Sequence, residues 1–347
     1  MCDGPASAAE VAASVPRLAE GPAVDPIDLH PVDEVRITTL VDNVYDALLP
    51  GDGRVSRVGP GTSWEPAPQF GGGRTDPGLR AEHGFAALVT VRRGPSTTTL
   101  LFDTGLSPDG MVTNAARMGI DLSGVQAVVL SHGHFDHVGG LAGLAGRRGA
   151  RAVPMVLHPG AWTRRRLAPP NGEVFELPTL SRRAVEGEGF QLIERREPSL
   201  LVDGSVLITG EVDRTTPFET GFRGHEALRD TEWQPDPLIL DDQALVLSLR
   251  DRGLVLLSGC GHAGIVNTVR YARTLTGIDA VAAVIGGFHL SGPMFEPIID
   301  PTIDALAELA PSLLVPAHCT GWKAVHRMAT RFPDAFVMSA VGTTITV

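Results

Sequence analysis

Apolar runs alternate with polar turns along most of the chain, and these runs predict strands. The early runs at residues 35–41, 85–91 and 98–103 are rich in β-branched side chains, which is typical of β-structure. The polar segment 92–96 separates the second run from the third, so we predict an antiparallel pair.

The second half of the chain alternates strands with helices. Residues 243–249 and 254–260 flank a polar turn and predict a hairpin. Helices are predicted at residues 263–276, 301–309 and 324–332, and further strands at residues 125–130, 152–158, 280–285 and 313–315. Hairpins followed by strand–helix alternation indicate sheets covered by helices.

Three segments lack a sustained hydrophobic period. Residues 1–34 are rich in Ala, Pro, Glu and Asp and are interpreted as a tail that is ordered only in part. Residues 50–79 are dominated by Gly, Pro, Ser and Thr and predict a long surface loop. Residues 160–235 are polar and broken by short strands, and we interpret them as an insertion that shapes a substrate pocket. The sequence therefore predicts a single domain over residues 35–347.

Composition narrows the functional classes. Of the 347 residues, 43% are hydrophobic and 20% are charged, as in a soluble globular protein. A net charge of −11 and an aromatic content of 5% argue against nucleic-acid binding. We find no leader and no membrane-spanning run, and three cysteines give no disulfide framework, so a cytoplasmic location is expected. The expected partner is a small molecule, and a homo-oligomer is left open.

One turn carries the strongest chemical signal. The strand predicted at residues 125–130 is followed by Ser131-His132-Gly133-His134-Phe135-Asp136-His137-Val138-Gly139-Gly140. A His-rich turn at a strand end places several imidazoles around one point, and imidazole and carboxylate are the usual ligands of zinc and similar ions. The sequence therefore predicts a metal site held by His132, His134, Asp136 and His137.

Three further histidines follow apolar strands, namely His262, His289 and His318. Strand-end loops gather at one edge of a sheet, where α/β proteins bind ligands. We therefore predict His262 and His318 as metal ligands and leave His289 open between a ligand, a support for a ligand and a structural residue. His83 either lines the substrate pocket or is a capping or surface residue.

These residues together resemble the metallo-β-lactamase superfamily. The spacing His132-x-His134-x-Asp136-His137 matches its hallmark motif, Asp103 after an apolar strand matches its first motif, and His318 matches its last histidine. The finer pattern is similar to the dihydropterin-methyl-ribofuranosylaminobenzene-phosphate synthase-like branch. The segments that support the branch are residues 82–84, 241–245, 259–267, 286–290 and 318–321.

The resemblance covers residues 35–347 and implies an α+β fold, a four-layer αββα sandwich with one or two divalent ions at one edge between the sheets. By this pattern His132 and His134 bind the first ion. Asp136 and His137 bind the second ion, which His318 completes. Asp103 would support the metal loop.

The sequence departs from the superfamily's commonest pattern after residues 254–259. Dinuclear members carry an aspartate there that bridges both ions, and here that position is Cys260. The usual Thr-Pro-Gly-His segment, which supplies the third ligand of the first ion, is also missing, and His262 is the candidate replacement. Cys260 is either a thiolate ligand, which would favour zinc, or a small packed residue.

A bound ion with an open position lowers the pKa of its water from about 16 to about 7, which gives a nucleophile at neutral pH. Asp136 can orient that nucleophile or accept its proton, besides serving as a ligand. Asp103 and Asp242 are candidates for fixing imidazole tautomers, with loop capping as the alternative. Zinc is the expected ion, with manganese or iron(II) as alternatives.

The predicted function is metal-dependent hydrolysis of a small ester, lactone or phosphoester. Arg214 and the triplet Arg164-Arg165-Arg166 could bind an anionic group, although a solvated surface run is the alternative for the triplet. Two other classes stay open. One is a redox or transferase-type enzyme on the same metal scaffold, and the other is a non-catalytic metal-binding sensor.

Overall fold

A computed structural model describes residues 26–147, 152–169 and 172–347, together with the backbone of residues 13–14. Most of the predicted tail therefore lies outside the described residues. The part from residue 26 onward packs against the domain, and the Ile27 N–H donates to the Leu275 carbonyl at 2.7 Å.

The strands are numbered in chain order. They are β1 (Ala13–Ser14), β2 (Glu34–Val41), β3 (Val55–Arg57), β4 (Glu65–Pro66), β5 (Arg74–Thr75), β6 (Ala86–Arg93), β7 (Ser96–Phe102), β8 (Ala127–Val129), β9 (Val153–Leu157), β10 (Arg165–Leu167), β11 (Phe175–Glu176), β12 (Phe190–Glu194), β13 (Ser199–Leu201), β14 (Val206–Ile208), β15 (His225–Arg229), β16 (Glu232–Pro235), β17 (Ala244–Leu249), β18 (Gly253–Ser258), β19 (Val281–Gly287), β20 (Leu314–Ala317) and β21 (Thr343–Thr346). The helices are α1 (Gly110–Arg117), α2 (Phe135–Val138), α3 (Leu141–Ala145), α4 (Arg182–Gly187), α5 (Ile265–Thr276), α6 (Ile299–Leu309) and α7 (Trp322–Arg331).

Two large sheets contain most of the strands. The eight-stranded sheet has the order β12-β9-β8-β7-β6-β2-β21-β3, and the seven-stranded sheet has the order β1-β13-β14-β17-β18-β19-β20. β6 pairs antiparallel with β7, and β17 with β18, so both predicted hairpins are confirmed. In the first sheet β7, β8 and β9 run parallel, and in the second sheet β18, β19 and β20 run parallel.

The two sheets face each other across an apolar core. Ile37 and Phe102 of one sheet belong to the same buried cluster as Leu247 and Leu257 of the other. Helices α1, α3 and α4 pack on the outer face of the eight-stranded sheet. Helices α5, α6 and α7 pack on the outer face of the seven-stranded sheet. The fold is therefore the four-layer αββα sandwich, an α+β architecture, that the resemblance implied.

Helix α1 and strand β21 are among the elements that the hydrophobic pattern did not predict. Helix α1 follows the loop after β7, and β21 inserts between β2 and β3 in the large sheet. The sequence of β21 is Thr-Thr-Ile-Thr, so it offers a single strongly apolar side chain and gives almost no hydrophobic signal. The loop predicted for residues 50–79 is also wrong in part, because this segment contains β3, β4 and β5.

Residues 160–235 contribute to three sheets. β12 joins the eight-stranded sheet, and β13 and β14 join the seven-stranded sheet. β10, β11, β15 and β16 form a small four-stranded sheet of their own. Among the described residues, no helix is long and apolar enough to cross a lipid bilayer.

The candidate site residues gather where parallel strands end. Asp103 follows β7, Ser131 follows β8, Cys260 follows β18, His289 follows β19 and His318 follows β20. Three residues at this edge have positive φ angles, namely Asp103 at 58°, His289 at 47° and His318 at 47°. Such backbone strain in residues other than glycine concentrates at functional sites.

The His-rich turn packs closely against the loop after β7. A Cβ atom on Gly139 would lie 1.8 Å from the Leu106 carbonyl oxygen. The Gly139 N–H also donates to the Gly105 carbonyl at 2.8 Å. The φ of Gly139 is −63°, which any residue can adopt. Glycine is therefore required because the neighbouring backbone lies too close for a side chain.

We predict that Gly139→Ala lowers the free energy of unfolding by about 1–3 kcal/mol, because the added methyl group must displace the backbone of the neighbouring loop. Chemical denaturation measures this. Gly146→Ala is the matched control, since the nearest atom to its added Cβ is 3.6 Å away and its φ is −68°. Equal stabilities of the two variants would contradict the packing argument.

Candidate metal centre

The His-rich turn is buried and held by carboxylates on both sides. Asp103 Oδ1 accepts from the Ser131 N–H at 2.7 Å. Asp241 Oδ2 accepts from the Gly133 N–H at 2.9 Å. The short helix α2 then carries Asp136 and His137 into the interior, where they are 9% and 0% exposed. The turn therefore has a fixed backbone from which its side chains project.

Asp103 fixes the protons of two imidazoles. Its Oδ2 lies 2.7 Å from His137 Nδ1 and accepts the Ser131 hydroxyl at 2.6 Å. Because the single hydroxyl hydrogen of Ser131 is used in this way, its oxygen accepts from His132 Nδ1 at 2.9 Å. Both rings are thus protonated on Nδ1. Their Nε2 atoms are buried without a hydrogen-bond partner among the described residues.

His318 has the same arrangement on the opposite side. Its backbone N–H donates to Asp42 Oδ1 at 2.8 Å, and its Nδ1 lies 3.0 Å from Asn43 Oδ1. Its Nε2 is buried without a hydrogen-bond partner, 3.4 Å from Asp136 Oδ2. Asp136 and His318 therefore present an oxygen and a nitrogen to the same point.

His134 is oriented by a chain of hydrogen bonds from the small sheet. His225 Nδ1 lies 3.1 Å from the Asp236 carbonyl oxygen, so this nitrogen carries a proton. His225 Nε2 must then accept from His134 Nε2, which is 3.0 Å away. The remaining lone pair of His134 is on Nδ1, 3.2 Å from His262 Nε2. His262 Nε2 is then the donor in this contact, and the His262 nitrogen that keeps its lone pair is Nδ1, which has no hydrogen-bond partner among the described residues.

Three groups of possible ligand atoms share the thiol of Cys260, and one of them joins it to His289 and Cys319. The ligand atoms of His132, His262 and Cys260 lie within 4.8 Å of one another, and so do those of His137, His318 and Cys260. Four ring nitrogens in these groups are buried without a hydrogen-bond partner: His132 Nε2, His137 Nε2, His262 Nδ1 and His318 Nε2. Unpartnered lone pairs around a thiol fit a metal centre, because nitrogen and sulfur are the donors that zinc prefers.

The electrostatics differ from one histidine of the centre to the next. Burial opposes protonation of His137, but Asp103 and Asp136 outweigh it and raise its pKa to about 9, so an ion that binds its Nε2 would replace a proton there. Burial likewise opposes ionisation of Asp136, yet His137 and His318 lower its pKa. Around His132 and His262, burial lowers the pKa of both rings, so they are neutral and keep their lone pairs. The centre thus combines carboxylates that stabilise a cation with neutral donors that can bind it.

The model of the metallo-beta-lactamase superfamily matches residues 80–318, which is most of the chain. The chain belongs to the metallo-β-lactamase superfamily. It is an enzyme of that fold, and its His, Cys and Asp groups are placed so that they could hold metal ions.

Two relatives come from Methanocaldococcus jannaschii. The chain is 29% identical to 7,8-dihydropterin-6-methyl-4-(beta-D-ribofuranosyl)-aminobenzene-5'-phosphate synthase over 262 residues, which cover 74% of this chain and 87% of the relative. It is 27% identical to an uncharacterized protein over 265 residues, or 76% and 92% of the two chains. A solved structure named as Tm1679, a metal-dependent hydrolase of the beta-lactamase superfamily, superposes with a TM-score of 0.65 at 24% identity and covers 90% of this chain and 99% of its own.

The remaining predicted site residues have distinct surroundings. His289 Nδ1 lies 3.1 Å from Cys260 Sγ, which in turn lies 3.1 Å from Cys319 Sγ. Asp242 accepts from the Ala263 N–H at 2.7 Å and leaves its Oδ1 without a partner. Burial raises the pKa of Asp242 to about 7. Asp242 therefore holds the backbone beside His262, which is the loop-capping alternative rather than the fixing of an imidazole tautomer.

The arginines predicted to bind substrate are used elsewhere. Arg214 donates to the backbone carbonyls of His262, at 3.0 Å, and of Leu238. With these two hydrogen bonds it supports the His262 loop. In the triplet, Arg165 is buried and paired with Asp241 and Asp236, while its neighbours pair with Glu176 and Glu226.

Two contributors to the centre escape the sequence pattern. Asn43 follows β2 and is hydrogen-bonded to His318. Its position after a strand is the same signal that identified His262, His289 and His318, so the sequence could have identified Asn43 as well. His225 begins β15 in a polar region and gives no comparable signal. Its contact with His134 joins residues 91 positions apart, which only the fold brings together.

We predict that His225→Phe weakens zinc affinity about 10–100-fold, because the ring of His134 loses the partner that fixes its tautomer. His225→Gln keeps an amide that can accept from His134 and should retain most of the affinity. Competition with a chromogenic chelator measures both. The prediction fails if folded His225→Phe binds zinc as tightly as the unmodified protein.

Proposed function

We propose that the protein is a metal-dependent hydrolase that acts on a small, anionic ester, lactone or phosphoester. The observation that supports this most is the set of four buried ring nitrogens without partners, grouped around Cys260 and beside Asp136. When bound, a divalent ion supplies Lewis acidity and activates water at neutral pH.

The proposed ligands divide into two sets. His132, His134 and His262 would hold one ion. Asp136, His137 and His318 would hold the other. The Cys260 thiol lies within 4.8 Å of the ligand atoms of His132 and His262 in the first set and of His137 and His318 in the second. We propose zinc as the ion, because neutral imidazole and thiolate donors favour it over the oxygen-seeking ions, with manganese and iron(II) as alternatives.

Asp136 has a second proposed task. Its carboxylate Oδ2 lies 3.4 Å from His318 Nε2 and 3.9 Å from His137 Nε2. The same atom lies 3.6 Å from the exposed ring of His83. Asp136 is therefore placed between the buried donors and the open side of the centre, where it can orient water or accept its proton.

A cavity of about 220 Å³ beside His262 and His289 is the proposed substrate pocket. Its walls include Phe222 and Phe295, whose rings pack edge to face with centroids 5.2 Å apart. Arg223 also lines it and is exposed, and it makes no hydrogen bond or ion pair with the described part of the chain. An unengaged guanidinium at an aromatic pocket supports an anionic substrate. Phe222 and Arg223 both come from the segment predicted to shape the pocket.

The relatives support two readings of the chemistry. The name of the structural neighbour, a metal-dependent hydrolase, agrees with the proposal. The name of the curated relative, a synthase that forms a phosphate-bearing dihydropterin compound, favours a transferase-type reaction on the same scaffold. The identity of 29% supports this second candidate without selecting the substrate.

We predict two zinc ions per chain in protein purified without added metal, and a metal-dependent hydrolysis of chromogenic phosphodiesters, lactones or thioesters. Cys260→Ala should lower the zinc content, because both donor groups lose their shared thiol. Cys2→Ala is the control, because the thiol of Cys319 lies 3.1 Å from that of Cys260. Elemental analysis of the folded variants decides the point. Unchanged zinc in Cys260→Ala would rule out its role as a ligand.

We predict that Arg223→Ala raises the KM for an anionic ester and leaves its kcat nearly unchanged, since the guanidinium would contribute to binding in the ground state and transition state alike. Arg223→Lys keeps the charge and should lose less. A neutral ester of similar size is the comparison substrate. Equal increases in KM for the neutral and anionic esters would contradict charge recognition.

A further inference from the structure

The side chain of Asn43 lies between two histidines of the centre and has a fixed orientation. Its Oδ1 accepts from the Gly84 N–H at 3.3 Å, and its Nδ2 donates to the His318 carbonyl at 3.3 Å. A backbone N–H can only donate and a carbonyl can only accept. The two contacts therefore assign the same orientation to the amide.

This orientation gives His318 and His83 opposite tautomers. His318 Nδ1 lies 3.0 Å from Asn43 Oδ1, so it carries the proton and the lone pair is on Nε2. His83 Nδ1 lies 3.1 Å from Asn43 Nδ2, so it accepts and the proton of the neutral ring is on Nε2. The two rings are neighbours, with centroids 5.0 Å apart.

The two histidines also differ in exposure. The side chain of His318 is 0% exposed, whereas that of His83 is 64% exposed. His83 Nε2 lies 3.6 Å from Asp136 Oδ2, which is too long for a hydrogen bond. The N–H of His83 is therefore available beside Asp136, on the accessible side of the centre.

Two other possible roles of His83, metal ligand and general acid, conflict with its contact with the Asn43 amide. Although its ligand atom lies near those of Asp136 and His318, a metal ligand would need the lone pair on Nε2. The proton would then be on Nδ1, facing the amide hydrogens of Asn43. A general acid would carry protons on both ring nitrogens, so its Nδ1–H would also face the amide hydrogens of Asn43. The state that fits is a neutral N–H donor.

We propose that His83 donates a hydrogen bond from neutral Nε2–H to an oxygen of the bound substrate, and that Asn43 is the positioning residue that keeps His83 in this state. The proposal rests on the proposed function, because that oxygen belongs to the anionic group hydrolysed beside Asp136. Donors aimed at oxygens where charge develops contribute about 10²–10³ in turnover.

The direct test is NMR of the zinc-loaded full chain with isotope-labelled histidine, titrated with inorganic phosphate as the probe. We expect His83 to be neutral and protonated on Nε2, and its signal to move on addition of phosphate. His30 is the reference, since its Nδ1 lies 2.6 Å from the Asp203 carbonyl, outside the centre. An imidazolium, an Nδ1–H ring, a zinc-bound Nε2 or indifference to phosphate would overturn the proposal.

The Asn43→Asp variant tests the positioning role in the same experiment. It replaces the amide donor by a second acceptor, so the proton of His83 should move to Nδ1, while the fold is retained. An unchanged His83 tautomer would refute the role of Asn43. Failure of the proposed function would be separate, since it would appear as a protein that binds no zinc.

Kinetics with a chromogenic nitrophenyl phosphodiester provide the second readout. We expect His83→Phe to lower kcat about 10²–10³-fold with zinc content unchanged, because it removes one donor to the reacting group. His83→Gln keeps an N–H donor and should restore part of the rate, and His30→Gln should match the unmodified protein. Loss of zinc in His83→Phe, or an unchanged kcat, would contradict the proposal.

Discussion

Four buried histidines of the centre, His132, His137, His262 and His318, each give one ring nitrogen to a protein partner and leave the other without a hydrogen-bond partner among the described residues. Asp103, Ser131 and Asn43 take the Nδ1 protons of three rings, and the Nε2 atoms of these rings remain unpartnered. An unsatisfied buried polar group costs about 1–3 kcal/mol, so four such nitrogens are a substantial local instability. Metal binding would offset it, since ligation satisfies the lone pairs and couples to folding. The geometry of the site follows from the need of these buried ring nitrogens for a partner.

The donor residues of the centre come from both sheets of the sandwich. Asp103 and the His-rich turn come from the carboxyl ends of β7 and β8 in one sheet. Cys260 and His318 come from the ends of β18 and β20 in the other, so the donors meet only when the two sheets pack. By the resemblance to the superfamily, Cys260 is expected where most dinuclear members have an aspartate. A thiol at that position gives the centre softer donors than a carboxylate would, which bears on the choice of ion.

The sequence predicted the parts of the centre that follow apolar strands. The turn from His132 to His137, together with His262 and His318, carries local signals, namely a strand, glycines and a metal-binding residue type, and the fold brings these residues together. Residues that act through a hydrogen bond gave weaker signals, because their partners are distant in sequence. His225 contacts His134 from a separate small sheet. Arg165 is buried and forms an ion pair with Asp241 instead of facing solvent. Side-chain partners of this kind depend on tertiary packing, which hydrophobic periodicity does not encode.

X-ray absorption at the zinc edge of the loaded protein tests most directly whether the unpartnered nitrogens are metal ligands. The expected spectrum shows imidazole scattering from nitrogens at about 2.0–2.1 Å and a sulfur at about 2.3 Å from Cys260. A first shell made only of oxygen, without imidazole or sulfur, would contradict the assignment of the centre.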